Sequence, residues 1–295
     1  MPDNWRNLYP FSSHWLEIDG NRYHYLDEGD PSLPPLILLH GNPTWSFYYR
    51  TLIPALKKKY RVVVPDHMGC GLSDKPQKYA YTLETHINNL EQLISHLDLR
   101  SVGLIMHDWG GTIGMGYAVR HPDNVSRFVV FNSGAFHARS GAIPFIVRIC
   151  GVPVCGPLLV QGLNAFARVA AVVGARNRKR MTKQVKAGLL APYNSWKNRN
   201  AIYRFVKDIP LKSSHISYAA LSRIDSGLGR LSRCPMLIVW GGKDFVFSVR
   251  YFLTVWRERF PGAEVMLLED AGHYVVEDAH ERILPRLEDF LARNP

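Results

Sequence analysis

Three ionisable residues, Asp108, Asp244 and His273, stand at positions where they could take part in one reaction. Each follows a short apolar run that is typical of a buried strand. In an open sheet of parallel strands, functional residues collect at the carboxyl ends of the strands. An Asp is already ionised near pH 7 and can act as a nucleophile, which leaves a His free to activate water in a later step. The three residues therefore predict nucleophilic catalysis.

The stretch 104–111 is the clearest local pattern. A buried strand at 102–106 leads into His107-Asp108-Trp109, and two glycines then open an apolar helix at about 112–119. Strand, sharp turn and helix are typical of the nucleophile elbow of α/β-hydrolases, although Asp108 stands where Ser is usual. A tight turn with an ordinary helix-capping Asp is the alternative interpretation.

The order of the three residues along the chain supports the catalytic interpretation. Nucleophile, acid and histidine follow one another in α/β-hydrolases in this order. Asp244 could instead cap a helix, and His273 could be an ordinary loop histidine. Three such residues at the right topological positions favour a triad of Asp108, Asp244 and His273.

Alternating strands and amphipathic helices surround the triad. They predict the α/β class, with a mainly parallel eight-stranded sheet that has helices on both faces and an inserted helical cap. Helices are expected from position 46 to about 58, at 83–97, at 249–259 and at 277–292. The predicted strands are 14–19, 22–28, 36–39, 61–64, 102–106, 127–131, 236–240 and 264–268.

The segment 133–232 interrupts this alternation, because it has several helical stretches and no convincing buried strand. We therefore predict a core domain at 1–132 and 233–295 and a helical cap domain at 133–232. Between positions 136 and 225 the chain has 15 Lys and Arg against 2 Asp and Glu, whereas the whole chain has a formal net charge of +11. The excess positive charge thus lies in the predicted cap.

The basic charge is interpreted as a solvated face or as a surface for an acidic partner or an anionic membrane. Nucleic acid is not expected as a partner, because no nucleic-acid-binding motif accompanies the charge. We expect Arg176, Arg178, Lys179 and Arg180, in the densest part, to be mainly exposed to solvent.

Length and composition restrict the remaining possibilities. The 295 residues contain no apolar run of about 20 residues, as a membrane span requires. The first eleven residues do not resemble a secretion signal. The four cysteines lack metal-binding or CxxC spacing. We therefore expect a cytoplasmic protein with free thiols and without a metal or a cofactor.

Four motifs together resemble the haloalkane dehalogenases. In this family an Asp displaces halide from carbon and forms an alkyl ester, which a His-activated water then hydrolyses. The resemblance extends over nearly the whole core, whereas the cap is similar in placement more than in motif. The motifs are His-Gly-Asn-Pro-Thr-Trp at 40–45, Asp-His-Met-Gly-Cys-Gly-Leu-Ser-Asp at 66–74, His-Asp-Trp-Gly-Gly at 107–111 and Gly-His at 272–273.

The resemblance implies a role for each site residue. Asp108 would be the nucleophile, His273 the base and Asp244 the acid that orients it. Asn42 and Trp109 would donate side-chain N–H groups to the departing halide. Some family members carry the acid after the strand at 127–131, but Asn132 and Ser133 do not ionise there, which favours Asp244.

The resemblance implies haloalkane dehalogenation, with a small apolar halogenated or lipid-like substrate and a halide ion as ligands. The alternative is β-lactone decarboxylation in bacterial long-chain olefin synthesis, since the subgroup with an Asn-and-Trp halide site closely resembles those enzymes. Epoxide hydrolases share the Asp elbow and use two cap tyrosines, for which Tyr193, Tyr203 and Tyr218 are available, but Asn42 argues against them. A non-catalytic interaction module and a homo-oligomer are left open.

Overall fold

The computed structural model describes residues 4–139 and 141–295. Residues 1–3 and Ser140, which belong to the predicted core and cap ranges, lie outside the described residues. Eight strands form one sheet in the order β1-β2-β4-β3-β5-β6-β7-β8. Their bounds are β1 (Ser13–Ile18), β2 (Asn21–Glu28), β3 (Pro35–Leu39), β4 (Arg61–Pro65), β5 (Val102–Asp108), β6 (Val125–Ser133), β7 (Met236–Gly241) and β8 (Glu264–Leu268).

The sheet is mainly parallel, as predicted. β2 pairs antiparallel with β1 and β4, whereas every pairing from β4 through β3 and β5 to β8 is parallel. All seven residues of β5 are buried, which fits a central parallel strand covered on both faces. The parallel strands bring the carboxyl ends of β3, β5, β6 and β7 to one edge.

Helices cover both faces of the sheet, and each face has its own apolar core. Along β3, Leu36 and Leu38 pack into one core, whereas Ile37 and Leu39 pack into the other, as the period of a strand requires. The α-helices are α1 (Ile53–Leu56), α2 (Leu83–His96), α3 (Trp109–Arg120), α4 (Phe145–Cys150), α5 (Cys155–Pro157), α6 (Ala165–Val173), α7 (Lys183–Leu190), α8 (Asn200–Lys207), α9 (Tyr218–Gly227), α10 (Thr254–Arg259) and α11 (Val275–Arg293).

The prediction of one helix from position 46 to about 58 is wrong. The structure has a 3₁₀ helix at Ser46–Tyr49 and the short α1 instead. Pro54, at the start of α1, has no N–H and cannot donate to the carbonyl of Arg50, so a continuous helix cannot form. The helix expected at 249–259 is present, as a π-helix at Val249–Leu253 that continues directly into α10.

The helices α4 to α9 lie between β6 and β7, together with a π-helix at Leu158–Gly162 and short 3₁₀ helices. The division of the chain into a core domain and a cap domain stays a prediction. No single helix in the described ranges is long and apolar enough to cross a membrane. One pair, Cys155–Gly162 with Ala165–Val173, meets the length and composition requirements together but is bent by 64°.

The densest basic run lies against α11. Arg176, Arg178 and Lys179 are exposed, as expected. The expectation is wrong for Arg180, which is only partly exposed, because its guanidinium pairs with Glu281 of α11 at 2.7 Å. The acidic residues of α11 thus offset part of the positive charge of this run.

A buried ion pair fixes the start of α11, directly after His273. The guanidinium of Arg50 donates to both carboxylate oxygens of Glu277, at 2.5 and 2.9 Å, and also lies over the ring of Phe47. Both charged side chains are almost fully buried. Each charge has lost its hydration, so each depends on the other for compensation.

Glu277→Gln should therefore lower the free energy of unfolding by about 3–5 kcal/mol, because it leaves the Arg50 charge buried without a counter-charge. Urea unfolding followed by circular dichroism measures this change. Asp270→Asn, which removes the exposed partner of Arg282, is the control and should change stability little. An equally small effect of Glu277→Gln would show that the pair does not anchor α11.

Candidate active site

Asp108 lies at the tip of a strained turn between β5 and α3. Its backbone has φ 52° and ψ −125°, a conformation rare for any residue with a side chain. A Cβ at Gly110 would collide with the carbonyl of Leu39, so only glycine allows α3 to approach β3 this closely. Ser133 Oγ at the end of β6 donates to the carbonyl of Asp108 at 2.6 Å, which holds the turn against the neighbouring strand.

Two backbone N–H groups donate to the Asp108 carboxylate. Asn42 N donates to Oδ1 at 2.6 Å, and the N–H of Trp109 also donates to the carboxylate. Oδ2 lies 3.8 Å from His273 Nε2. Burial raises the pKa of Asp108, against the lowering effects of His273 and the two N–H donors. One oxygen is therefore fixed, and the other faces the imidazole.

His273 and Asp244 form a short hydrogen bond in the same site. His273 Nδ1 donates to Asp244 Oδ2 at 2.9 Å, so neutral His273 presents an unprotonated Nε2 toward Asp108. Burial alone would lower the pKa of His273, but the carboxylates of Asp244 and Asp108 outweigh it and raise that pKa. The structure thus brings the three predicted triad residues together in the order that general-base chemistry needs.

Asn132 is a positioning residue that the sequence did not reveal. Its Nδ2 donates to Asp244 Oδ2 at 2.8 Å, and its Oδ1 accepts from the N–H of Gly241. Val246 N donates to the other oxygen of Asp244 at 2.6 Å. The sequence indicated that position 132 ends a strand, but only the sheet brings that amide to Asp244.

Two further residues hold the loop that carries His273. His107 Nε2 donates to the carbonyl of His273 at 2.9 Å, which ties the loop to β5. Asp278 accepts from the N–H groups of Gly272, Arg176 and Asn177 at 2.7 to 2.9 Å. The sequence placed Asp278 in the first turn of the last helix. Two of its hydrogen-bond donors, Arg176 and Asn177, precede it by about a hundred residues, so the sequence did not indicate these bonds.

Asn42 and Trp109 both line the same cavity as Asp108. Asn42 Nδ2 donates to the carbonyl of Ile202 at 3.2 Å, which leaves its second N–H. The indole N–H groups of Trp45 and Trp240 donate to carbonyls, whereas that of Trp109 has no partner within residues 4–139 and 141–295. Both predicted donors therefore have an N–H group available for a ligand.

The cavity is an apolar pocket of about 240 Å³ above Asp108. Its polar lining side chains, in the part of the chain that the structure describes, are Asn42, Asp108, Trp109, Thr112 and His273. The remaining lining is apolar, so the site suits an apolar substrate that has one reactive polar group. Most of the apolar lining comes from the segment between β6 and β7 and from the loop after β7, and includes Phe136, Ile143, Ile146, Val147, Leu159, Phe166, Val169, Val206, Ile209, Leu211, Leu221, Phe245, Val246 and Phe247.

The tyrosines considered for epoxide opening do not face this cavity. Tyr193 donates to the carbonyl of Thr44 at 3.2 Å, and neither Tyr203 nor Tyr218 belongs to the cavity lining. No cluster of three His, Cys, Asp or Glu side chains in the described residues could hold a metal ion.

Comparison with known proteins agrees with this fold. Residues 34–144 match the family model described as the alpha/beta hydrolase fold. The chain thus has the fold of the α/β-hydrolase enzymes. A cis-3-alkyl-4-alkyloxetan-2-one decarboxylase of Shewanella oneidensis is 44% identical over 96% of this chain and 89% of its own length. Haloalkane dehalogenase 2 of Mycobacterium tuberculosis is 32% identical over 94% of this chain and 93% of its own.

The structural comparison gives the same fold. The crystal structure of a haloalkane dehalogenase from Bradyrhizobium elkani superimposes with a TM-score of 0.86 over 96% of this chain and 98% of its own, at 24% identity. The chain belongs to the haloalkane dehalogenase family of the α/β-hydrolase fold, as its motifs predicted.

The raised pKa of His273 leads to a test that needs no substrate. Asp244→Asn removes the first of the two carboxylates that favour the charged imidazole, so the pKa of His273 should fall. A pH titration of the imidazole by NMR, assigned with His273→Gln, measures the change. Asp98→Asn, which removes an exposed carboxylate before the start of β5, is the control and should leave the pKa unchanged. An unchanged pKa in Asp244→Asn would show that Asp244 does not set the charge of His273.

Proposed function

We propose that this protein decarboxylates cis-3-alkyl-4-alkyl β-lactones. The observation that carries the proposal is its greater identity to the named decarboxylase than to the named dehalogenases, over nearly the full length of the chain. The apolar cavity supports it, because alkyl chains are bound by burial and need few polar partners. This order reverses the preference that the sequence motifs alone gave, in which dehalogenation came first.

Asp108 is the nucleophile in this proposal. Its Oδ2 attacks the sp³ carbon that bears the ring oxygen of the lactone, and the bond from that carbon to the ring oxygen breaks. The ring opens to an alkyl ester of Asp108 with a free carboxylate on the neighbouring carbon. The backbone N–H of Asn42 keeps Oδ1 in place while Oδ2 reacts.

The ester then breaks down by elimination. The bond to the free carboxylate cleaves and releases CO₂, and its electron pair forms the carbon–carbon double bond. The bond to Asp108 Oδ2 breaks at the same time, which restores the Asp108 carboxylate. Lactone becomes alkene and CO₂, and no water is consumed. In its protonated form, which the raised pKa favours, His273 would stabilise the departing carboxylate of Asp108.

Haloalkane dehalogenation is the second candidate. The N–H groups of Asn42 and Trp109 that have no protein partner favour it, because a departing halide needs such donors in a dry pocket. In this reaction the Asp108 ester is hydrolysed. Neutral His273 takes a proton from water, and Asp244 holds the imidazole in the required tautomer.

The two reactions respond differently to His273→Gln. With 1-bromobutane this variant should stop after one turnover, because nothing activates water, and intact-protein mass spectrometry should show an added butyl group. With a long-chain cis-β-lactone it should continue to turn over at a reduced rate, because elimination regenerates Asp108 without water. Olefin measured by gas chromatography reports this turnover.

Asp108→Ala is the control for both substrates, and should give no adduct and no product. Wild-type protein that turns over 1-bromobutane with a much higher kcat/KM than the lactone would make dehalogenation the function. A stable lactone adduct on His273→Gln, without olefin, would contradict the elimination step.

The halide site has its own test. Trp109→Phe and Asn42→Ala should each slow halide displacement by about 10²–10³-fold, the loss typical of one donor to a developing anion. Bromide should change the fluorescence of the wild type in a saturable way, and Trp109→Phe should abolish this response. Trp196→Phe, which removes a tryptophan with 46% exposure, is the matched control and should keep it. A saturable response that persists in Trp109→Phe would contradict the assignment.

A further inference from the structure

We propose that the segment between β6 and β7, together with Phe245 in the loop after β7, docks the protein on an anionic lipid surface, with the mouth of the catalytic cavity toward the lipid. The contact surface, which we call the cavity rim, consists of Phe145, Ile146, Val169, Leu211 and Phe245. Docking on lipid concerns the location of the protein and does not depend on which of the two reactions it catalyses.

The cavity rim is apolar and open to solvent. Ile146, Val169 and Leu211 line the catalytic cavity, and yet they are 56%, 50% and 52% exposed. Phe145, beside Ile146 in α4, is 74% exposed. Side chains of this size are buried in most soluble proteins, and a group of them around a cavity mouth marks an interaction surface.

A basic groove lies beside the cavity rim. This second cavity, of about 440 Å³, shares Leu211 with the catalytic cavity and is also lined by Phe145. Arg148, Lys207 and Lys212 line it too, and none of them pairs with a carboxylate within the described ranges. Cations therefore flank the exposed apolar side chains, the arrangement by which peripheral proteins bind anionic bilayers.

The rest of the segment adds no exposed negative charge. Of its two acidic residues, Asp208 is buried and accepts from Ser217 Oγ at 2.7 Å. Asp225 pairs with Arg259 at 2.5 Å. The densest basic run, by contrast, lies near Glu281 and is partly neutralised. The cations of the groove lie beside the cavity rim and are thus available to anionic headgroups there.

A lipid surface fits these observations better than an acidic protein does. An acidic partner would require its own apolar patch to cover the cavity rim, and it would block the cavity mouth when bound. A bilayer covers apolar side chains with acyl chains and pairs the cations with headgroups. It also lets an apolar substrate enter the cavity without crossing water.

Vesicle binding tests the proposal. Wild-type protein should cosediment with vesicles of phosphatidylcholine that contain about one-third phosphatidylglycerol, and less with phosphatidylcholine alone. Arg148→Gln/Lys212→Gln should weaken binding to the anionic vesicles by about 30-fold at low salt, since each basic residue near the surface contributes about a fivefold factor. Phe145→Ser should weaken binding to both kinds of vesicle by about 10-fold or more.

Matched variants separate the cavity rim from general effects. Lys58→Gln/Lys59→Gln removes the same charge from exposed positions of the core, and Trp15→Ser removes an exposed aromatic side chain from β1. Both should bind like the wild type, and circular dichroism should show all variants folded. Equal losses in the control variants, or no wild-type binding, would overturn the proposal.

The oligomeric state supplies a last test. A wild-type dimer in analytical ultracentrifugation that Phe145→Ser dissociates, with no vesicle binding, would make the cavity rim an interface between two copies and would overturn lipid docking. Because cosedimentation measures no chemistry, these outcomes are independent of whether the protein acts on a lactone.

Discussion

The burial of one carboxylate charge governs this site. Asp108 lies at the floor of an apolar cavity, where desolvation opposes ionisation and raises its pKa. Two backbone N–H groups and the positive end of α3 compensate for the lost hydration. These groups can surround the carboxylate only because Asp108 has a strained backbone conformation, which costs about 1–3 kcal/mol. Gly41 shares this constraint, since a Cβ there would collide with the Asp108 carboxylate.

The remaining polar residues follow from that charge. His273 carries a raised pKa because it lies between two carboxylates, and Asp244 is in turn held by Asn132 and Val246. Hydrogen bonds thus connect the ends of β5, β6 and β7 and the loop after β8. Each strand end contributes at least one group, so the geometry of the site depends on the register of the whole sheet. The ion pair of Arg50 with Glu277 and the bonds of Asp278 fix the loop from its other side.

The eight strands and the positions of Asp108, Asp244 and His273 could be predicted, because apolar runs identify strands and parallel strands share one functional edge. The residues that position them could not. Asn132 donates to Asp244, 112 residues away, and Asp278 accepts from Arg176, 102 residues away. Such pairings leave no local pattern. The broken helix before α1 was predictable in principle from Pro54, whereas the partial burial of Arg180 depended on its contact with α11.

The buried carboxylate of Asp108 also explains how one site could serve two reactions. An alkyl ester of Asp108 is common to both, and the two differ only in which bond breaks next. Hydrolysis needs a water molecule between neutral His273 and the ester carbonyl. In the structure His273 Nε2 lies 3.8 Å from Asp108 Oδ2, so the base is close to the carboxylate that would carry the ester. Elimination needs a carboxylate on the neighbouring carbon and no water. Since the cavity is apolar apart from the few groups around Asp108, the substrate would decide the outcome of the proposed chemistry. The ester formed from a bromoalkane has no neighbouring carboxylate to lose as CO₂ and would be released only by water, whereas the ester formed from a lactone would lose CO₂ without water.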